Sequence, residues 1–128
     1  MTGERILVVE DNALNLKLVS AVLENAGYRV RPAGTAEDGV AAAVADPPDL
    51  VLMDLQLPGM DGFAGLRALR ADPATCGVPV LAVTALAMPE DRERVRREGF
   101  DGHIEKPISV RGLPERIRDA LNRRKGSP

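Results

Sequence analysis

Three nearly unbroken apolar runs, "ILVV" at 6–9, "LVLM" at 50–53 and "VLAV" at 80–83, constrain this chain more than any other feature. Each is too short for a helix and apolar at successive positions, so both of its faces must be covered. Strands of that kind belong to parallel sheets flanked by helices. The strand expectations are 5–9, 28–30 ("YRV"), 49–53, 78–83 and 102–104 ("GHI"), with helices at about 13–26, 36–45, 62–71, 89–98 and 110–123. Gly27, Gly99 and the Asp46-Pro47-Pro48 break sit where helices should stop. Asn12, Thr35 and Ser109 are placed to cap helix N-termini. Five strands, each followed by a helix, imply right-handed crossovers and an α/β, doubly wound (βα)5 parallel sheet, for which strand order 2-1-3-4-5 suits. Ligands of such sheets bind beyond the carboxyl ends of the strands, near the switch point between strands one and three.

The residues at those strand ends are not what an apolar core would choose. Glu10 and Asp11 follow the first run, Asp54 the third, Thr84 the fourth, and Glu105, Lys106 and Pro107 the fifth. The second strand, expected at a sheet edge, is followed by Arg31 and Pro32 with no comparable group. An unpaired buried carboxylate is costly, so Asp54 needs compensation. Neighbouring strands lie ~4.8 Å apart, so these side chains can converge. Two ionised carboxylates ~5 Å apart at an effective dielectric near 20 repel by roughly 3 kcal/mol. A divalent cation relieves that repulsion, and an all-oxygen donor set favours Mg²⁺ over zinc. A carboxylate, a hard metal, a hydroxyl and an ammonium make a phosphoryl-transfer site. In it Asp54 is the nucleophile, Lys106 stabilises charge on the phosphoryl oxygens, and Thr84 hydrogen-bonds one of them. Any of these residues alone is commonplace; the set, in order at matching strand ends, is not.

Composition removes other classes. The 128 residues suffice for one domain, and the net charge of −2 advertises neither nucleic acid nor a membrane surface. No apolar run approaches a membrane span, and residues 1–10 lack a signal-peptide layout. The absence of Trp, with one Tyr and two Phe, speaks against a flavin or base-stacking platform. A lone cysteine, Cys76, supplies neither a disulfide nor a metal-ligand pair, which suits the cytoplasm.

"VVEDNALNLKL", "LVLMDLQLPGMDG", "AVTALAM" and "EKPISV" together resemble the receiver domain of two-component response regulators, and among these the stand-alone receivers of the DivK type. The resemblance spans essentially 4–123 and implies a flavodoxin-like fold, with 1–123 as the receiver and 124–128 as a short basic tail. It implies that Asp54 accepts a phosphoryl group from a phosphohistidine on a sensor histidine kinase or histidine phosphotransfer protein. It also implies that Asp11, Asp54, the backbone carbonyl of Gln56 and, directly or through water, Glu10 hold Mg²⁺. Output would be altered binding to a downstream protein, by a monomer or a phosphorylation-dependent dimer, with no classical enzyme activity beyond the domain's own phosphoryl transfer and dephosphorylation. Receivers commonly have a cis bond at the position of Lys106–Pro107.

His103 departs from the pattern, since receivers usually place Tyr or Phe there as the switch partner of the hydroxyl residue, here Thr84. An imidazole at that point predicts weak, pH-dependent coupling to the distal surface. In 13–26, Leu14, Leu16, Leu18, Val19, Val22, Leu23 and Ala26 cover more of the helix than one sheet-facing stripe needs, which suggests a kinase-docking patch beside a broad core contact. Helix 89–98 has Val95 as its one apolar anchor, plus Met88 at its start, and should dock loosely. Val110, Leu113, Ile117, Ala120 and Leu121 form the inward stripe of the last helix, which Pro114 can delay. Met53, Met60 and Met88 are expected to pack, and the starting Met1 suggests an intact N-terminus. A phosphatase of the haloacid dehalogenase type would need a second acid at 56, where Gln stands, and its nucleophile on the first strand. A receiver excised from a hybrid kinase or transcription factor remains a second possibility.

Overall fold

A computed structural model describes residues 3–85 and 88–125. The basic tail expected at 124–128 therefore lies outside the described residues except for the backbone of 124 and 125, as do Met1, Leu86 and Ala87. Five strands and five helices alternate: β1 (Arg5–Val9), α1 (Ala13–Asn25), β2 (Arg29–Ala33), α2 (Ala36–Ala45), β3 (Leu50–Asp54), α3 (Gly62–Ala71), β4 (Val80–Thr84), α4 (Pro89–Glu98), β5 (Gly102–Glu105) and α5 (Leu113–Lys125). The sheet is parallel throughout, in the order β2-β1-β3-β4-β5.

The apolar runs explain the layering. Every residue of β3 and β4 is buried, because these strands lie in the interior of the sheet with helices on both faces. Alternation along the strands divides the core. Leu7, Val9, Val51, Met53 and Ala82 face α2, α3 and Val95 of α4. Ile6, Val8, Leu50, Leu52, Leu81 and Val83 face Val19 and Leu23 of α1 and Leu113, Ile117 and Leu121 of α5. Fully burying such a side chain stabilises by roughly 1.5–3 kcal/mol, so the two layers pin the register of each strand.

Caps set the helix starts. Asn12 Oδ1 accepts from the Asn15 N–H at 3.0 Å, Thr35 Oγ1 from Asp38 at 3.0 Å and Asp61 Oδ1 from Ala64 at 2.9 Å. Gly99 closes α4 with φ 109°, a left-handed conformation that glycine alone adopts without penalty.

Several sequence expectations need correction. Strand β2 continues through Arg31 and Pro32 to Ala33, because an edge strand tolerates a proline that cannot donate to a neighbour. Strand β4 begins after Pro79, and Asp54 and Thr84 are the last residues of their strands rather than the residues that follow them. Helix α5 starts at Leu113, so Val110 falls in the preceding turn and is 50% exposed instead of facing inward. Ser109 accordingly caps that turn, its Oγ accepting from the Gly112 N–H at 3.3 Å. Met88 is exposed rather than packed, whereas Met53 is buried and Met60 packs against the core.

Candidate functional site

Four strand ends converge on one volume. β1 delivers Glu10 and Asp11, β3 delivers Asp54, β4 ends on Thr84, and Lys106 follows β5. One carboxylate oxygen from each of Glu10, Asp11 and Asp54 lies within 4.8 Å of the others. Glu10 and Asp54 are buried, while Asp11 is exposed at the rim. The lysine reaches across β4 to place Nζ 2.9 Å from Asp54 Oδ2 and 3.8 Å from Glu10 Oε1. Its four-carbon stem makes that span possible from a strand that is not Asp54's neighbour.

The sequence positions these groups through local chemistry. Gly62 opens α3 so close to β3 that a Cβ there would stand 2.6 Å from the Asp54 carbonyl oxygen and 2.8 Å from Leu55 Cα. Glycine thus lets the helix N-terminus pack directly behind the carboxylate's own backbone. Asp54 Oδ1 accepts from the Gln56 N–H at 2.9 Å, an Asx-type turn that fixes one carboxylate oxygen and leaves Oδ2 to Lys106. Glu10 Oε2 accepts from the Asn12 N–H at 3.1 Å, so the residue that caps α1 also orients the buried glutamate. Lys106 is held in turn by its own N–H, which donates to the Thr84 carbonyl at 2.9 Å, and the Lys106–Pro107 bond is cis.

Electrostatically the site is short of positive charge. Burial pushes the Glu10 carboxyl up to about 7; the Asn12 N–H opposes the rise, Asp54 adds to it, and Lys106 offsets part of it. A glutamate that resists ionisation at neutral pH marks a place where a further cation would be welcome. The donor set fits that role: three carboxylates and no His or Cys, oxygen ligands suited to a hard divalent ion.

Of the strand-end residues singled out from sequence, Glu10, Asp11, Asp54 and Lys106 meet, Thr84 ends the strand beside that of Asp54, and Gln56 lies on the turn beside Asp54. His103 lies apart from the cluster, half-buried on β5, its Nε2 3.8 Å from Glu105 Oε1 and its carbonyl accepting from Arg116. Sequence reasoning missed the backbone N–H groups of Gln56 and Asn12. The signal for the first was present, because an Asp followed by a Pro-Gly loop commonly makes an Asx turn. Glu105, named from sequence at the end of the fifth strand, is not one of the three clustered carboxylates; it takes a hydrogen bond from Arg92 of α4 at 2.7 Å.

Comparison with known proteins agrees with this arrangement. The family model described as the response regulator receiver domain matches residues 6–118. The polar-differentiation response regulator DivK of Brucella ovis is 40% identical over 116 residues, covering 91% of this chain and 94% of the relative. The receiver domain of a sensor histidine kinase from Pseudomonas aeruginosa, solved with a magnesium ion coordinated in its active-site cleft, is 36% identical with a TM-score of 0.84, covering 98% of this chain and 100% of that one. A chemotaxis response regulator of Vibrio cholerae superimposes with a TM-score of 0.88 at 27% identity, over 93% of this chain and 99% of its own. A chain with this sheet order, this acidic cleft and these relatives belongs to the response regulator receiver domains of two-component signalling.

Proposed function

We propose that the chain is a phospho-acceptor whose Asp54 takes a phosphoryl group from a phosphohistidine on a sensor kinase or histidine phosphotransfer protein. The observation that carries this reading is the Lys106–Asp54 contact at 2.9 Å inside a cluster that also holds Glu10 and Asp11. Asp54 Oδ2 attacks phosphorus, an O–P bond forms, the P–N bond breaks, and the imidazole leaves with the electron pair and picks up a proton from solvent. Lys106 meets the charge gathering on the phosphoryl oxygens, and the Thr84 hydroxyl hydrogen-bonds one of them. Glu10, Asp11, Asp54 and the Gln56 carbonyl are the groups that would hold Mg²⁺, which supplies neutralising positive charge to the transferred group. The domain acts as a signalling protein rather than a classical enzyme, with no step beyond its own phosphoryl transfer and hydrolysis.

Output is a change in protein–protein binding, with Thr84 and His103 as the switch pair. Leu14 and Leu18 of α1, 77% and 45% exposed, give the phosphodonor an apolar face to dock on. Among the described residues no helix is long and apolar enough to cross a membrane, in keeping with action in the cytoplasm. A second reading, a receiver module of a longer hybrid kinase, draws on the likeness to the Pseudomonas sensor-kinase receiver.

Incubation with Mg²⁺ and acetyl phosphate followed by intact mass tests the proposal. The expected result is gain of one phosphoryl group, lost in Asp54→Asn and on chelation of the metal. No gain in the wild type, or an unchanged gain in Asp54→Asn, would remove the phospho-acceptor role.

A further inference from the structure

We infer that Arg92 and Glu105 form a latch that holds α4 against β5 in the resting protein and opens when Asp54 is phosphorylated. The opening half rests on the function proposed above. Helix α4 has little else to hold it there. Val95 is its single buried residue, and Met88 at its start is exposed. A groove of about 400 Å³, lined by Pro89, Arg92, Arg96, Phe100 and His103 among others, runs between α4 and β5. At this face Arg92 Nη2 donates to Glu105 Oε1 at 2.7 Å.

The opposite side of α4 is fastened differently. Arg94 lies over the Phe63 ring of α3 at 3.9 Å, and Glu98 pairs with Arg67 of α3 at 3.2 Å. α4 is therefore held on its α3 side by ring and ion contacts, and on its β5 side by an ion pair spanning a poorly filled groove. β5 in turn is anchored from the α5 side, where Arg116 donates to the His103 carbonyl.

Glu105 is coupled to the site through the backbone. It pairs in register with Thr84, and the next residue, Lys106, bonds both the Thr84 carbonyl and the Asp54 carboxylate. A shift of Thr84 or Lys106 toward a phosphoryl group on Asp54 moves the segment carrying Glu105, and a charge pair loses its hydrogen bond over a fraction of an ångström. His103 Nε2, 3.8 Å from the same Oε1, offers that carboxylate a second partner as Arg92 leaves. The pair is half exposed on both sides, at 49% and 52%, so it is weak enough for phosphorylation to break.

Hydrogen exchange of the α4 amides, read beside intact mass, tests the latch. In unphosphorylated Glu105→Gln, α4 should exchange about 2- to 5-fold faster than in the wild type, the range an exposed pair allows, with α1 unchanged. The double variant Arg92→Glu, Glu105→Arg should return α4 to the slow rate. Wild type treated with acetyl phosphate and Mg²⁺ should show the same acceleration, and phosphorylated Glu105→Gln no more. Unchanged α4 exchange in Glu105→Gln, or a double variant as fast as the single, would overturn the latch. Slow α4 exchange in wild type that has gained a phosphoryl group would overturn its opening. No mass gain would defeat the phospho-acceptor reading and the opening together, leaving the resting latch to be judged on the unphosphorylated variants.

Discussion

The two ends of the sheet treat charge in opposite ways. At the amino ends of the strands acids meet arginines: Glu4 with Arg118 at 2.7 Å, Asp46 with Arg5 at 2.8 Å, and Asp101 with Arg70 at 2.9 Å. Hydrogen bonding from Arg5 there lowers the Asp46 pKa. At the carboxyl ends Glu10, Asp11 and Asp54 face Lys106, and burial drives the Glu10 pKa the other way, to about 7. One end has its acids matched by arginines of the protein itself. The other is left with excess negative charge, three carboxylates facing one lysine. Paired and unpaired charge thus lie at opposite edges of the same sheet.

The widest separation between the two ends should appear in pH dependence. Glu10 has a folded-state pKa raised above its unfolded value, so its contribution is most favourable below about 4.5 and is lost as pH rises through about 7. A rise of that size corresponds to on the order of 3 kcal/mol. Urea unfolding in EDTA should show wild type losing stability across this window relative to Glu10→Gln, with Mg²⁺ restoring it. Parallel profiles for the two proteins would mean that the buried glutamate is not strained. A smaller effect is expected for Asp54→Asn in EDTA at pH 8. Removing one buried charge beside Glu10 and Asp11 should stabilise by about 1–2 kcal/mol despite the lost Lys106 pair, and a lower unfolding midpoint would contradict the crowding. Least affected should be Asp46→Ala at the amino end. Its carboxylate is exposed, so the urea midpoint should match wild type within error, with or without Mg²⁺. A large or Mg²⁺-sensitive loss there would erase the distinction between the ends.

Much of this was legible in the residues because buried strands announce themselves. "LVLM" and "VLAV" could only be doubly covered strands, and the acids, threonine and lysine at their ends fell at one edge once the strand order was accepted. Boundaries were less readable. Pro32 looks like a break, yet it sits in an edge strand that needs no donor there, whereas Pro114 was legible as a late helix start and is the second residue of α5, where the N–H is free anyway. Val110 carried the right periodicity for an inward stripe but lies one turn too early. The excess of leucine on α1 was correctly read as more than one face requires, since Leu14 and Leu18 remain exposed.

The sequence by itself determined the layered sheet and the list of reactive groups, because hydrophobic periodicity and residue chemistry are local properties. Only tertiary structure decided the distances: that Lys106 crosses β4 to reach Asp54, that the Asn12 N–H orients Glu10, and that Arg92 finds Glu105. Those pairings join residues whose separation depends on how helices seat on the sheet and which rotamers packing allows, and no stretch of chain carries that information alone.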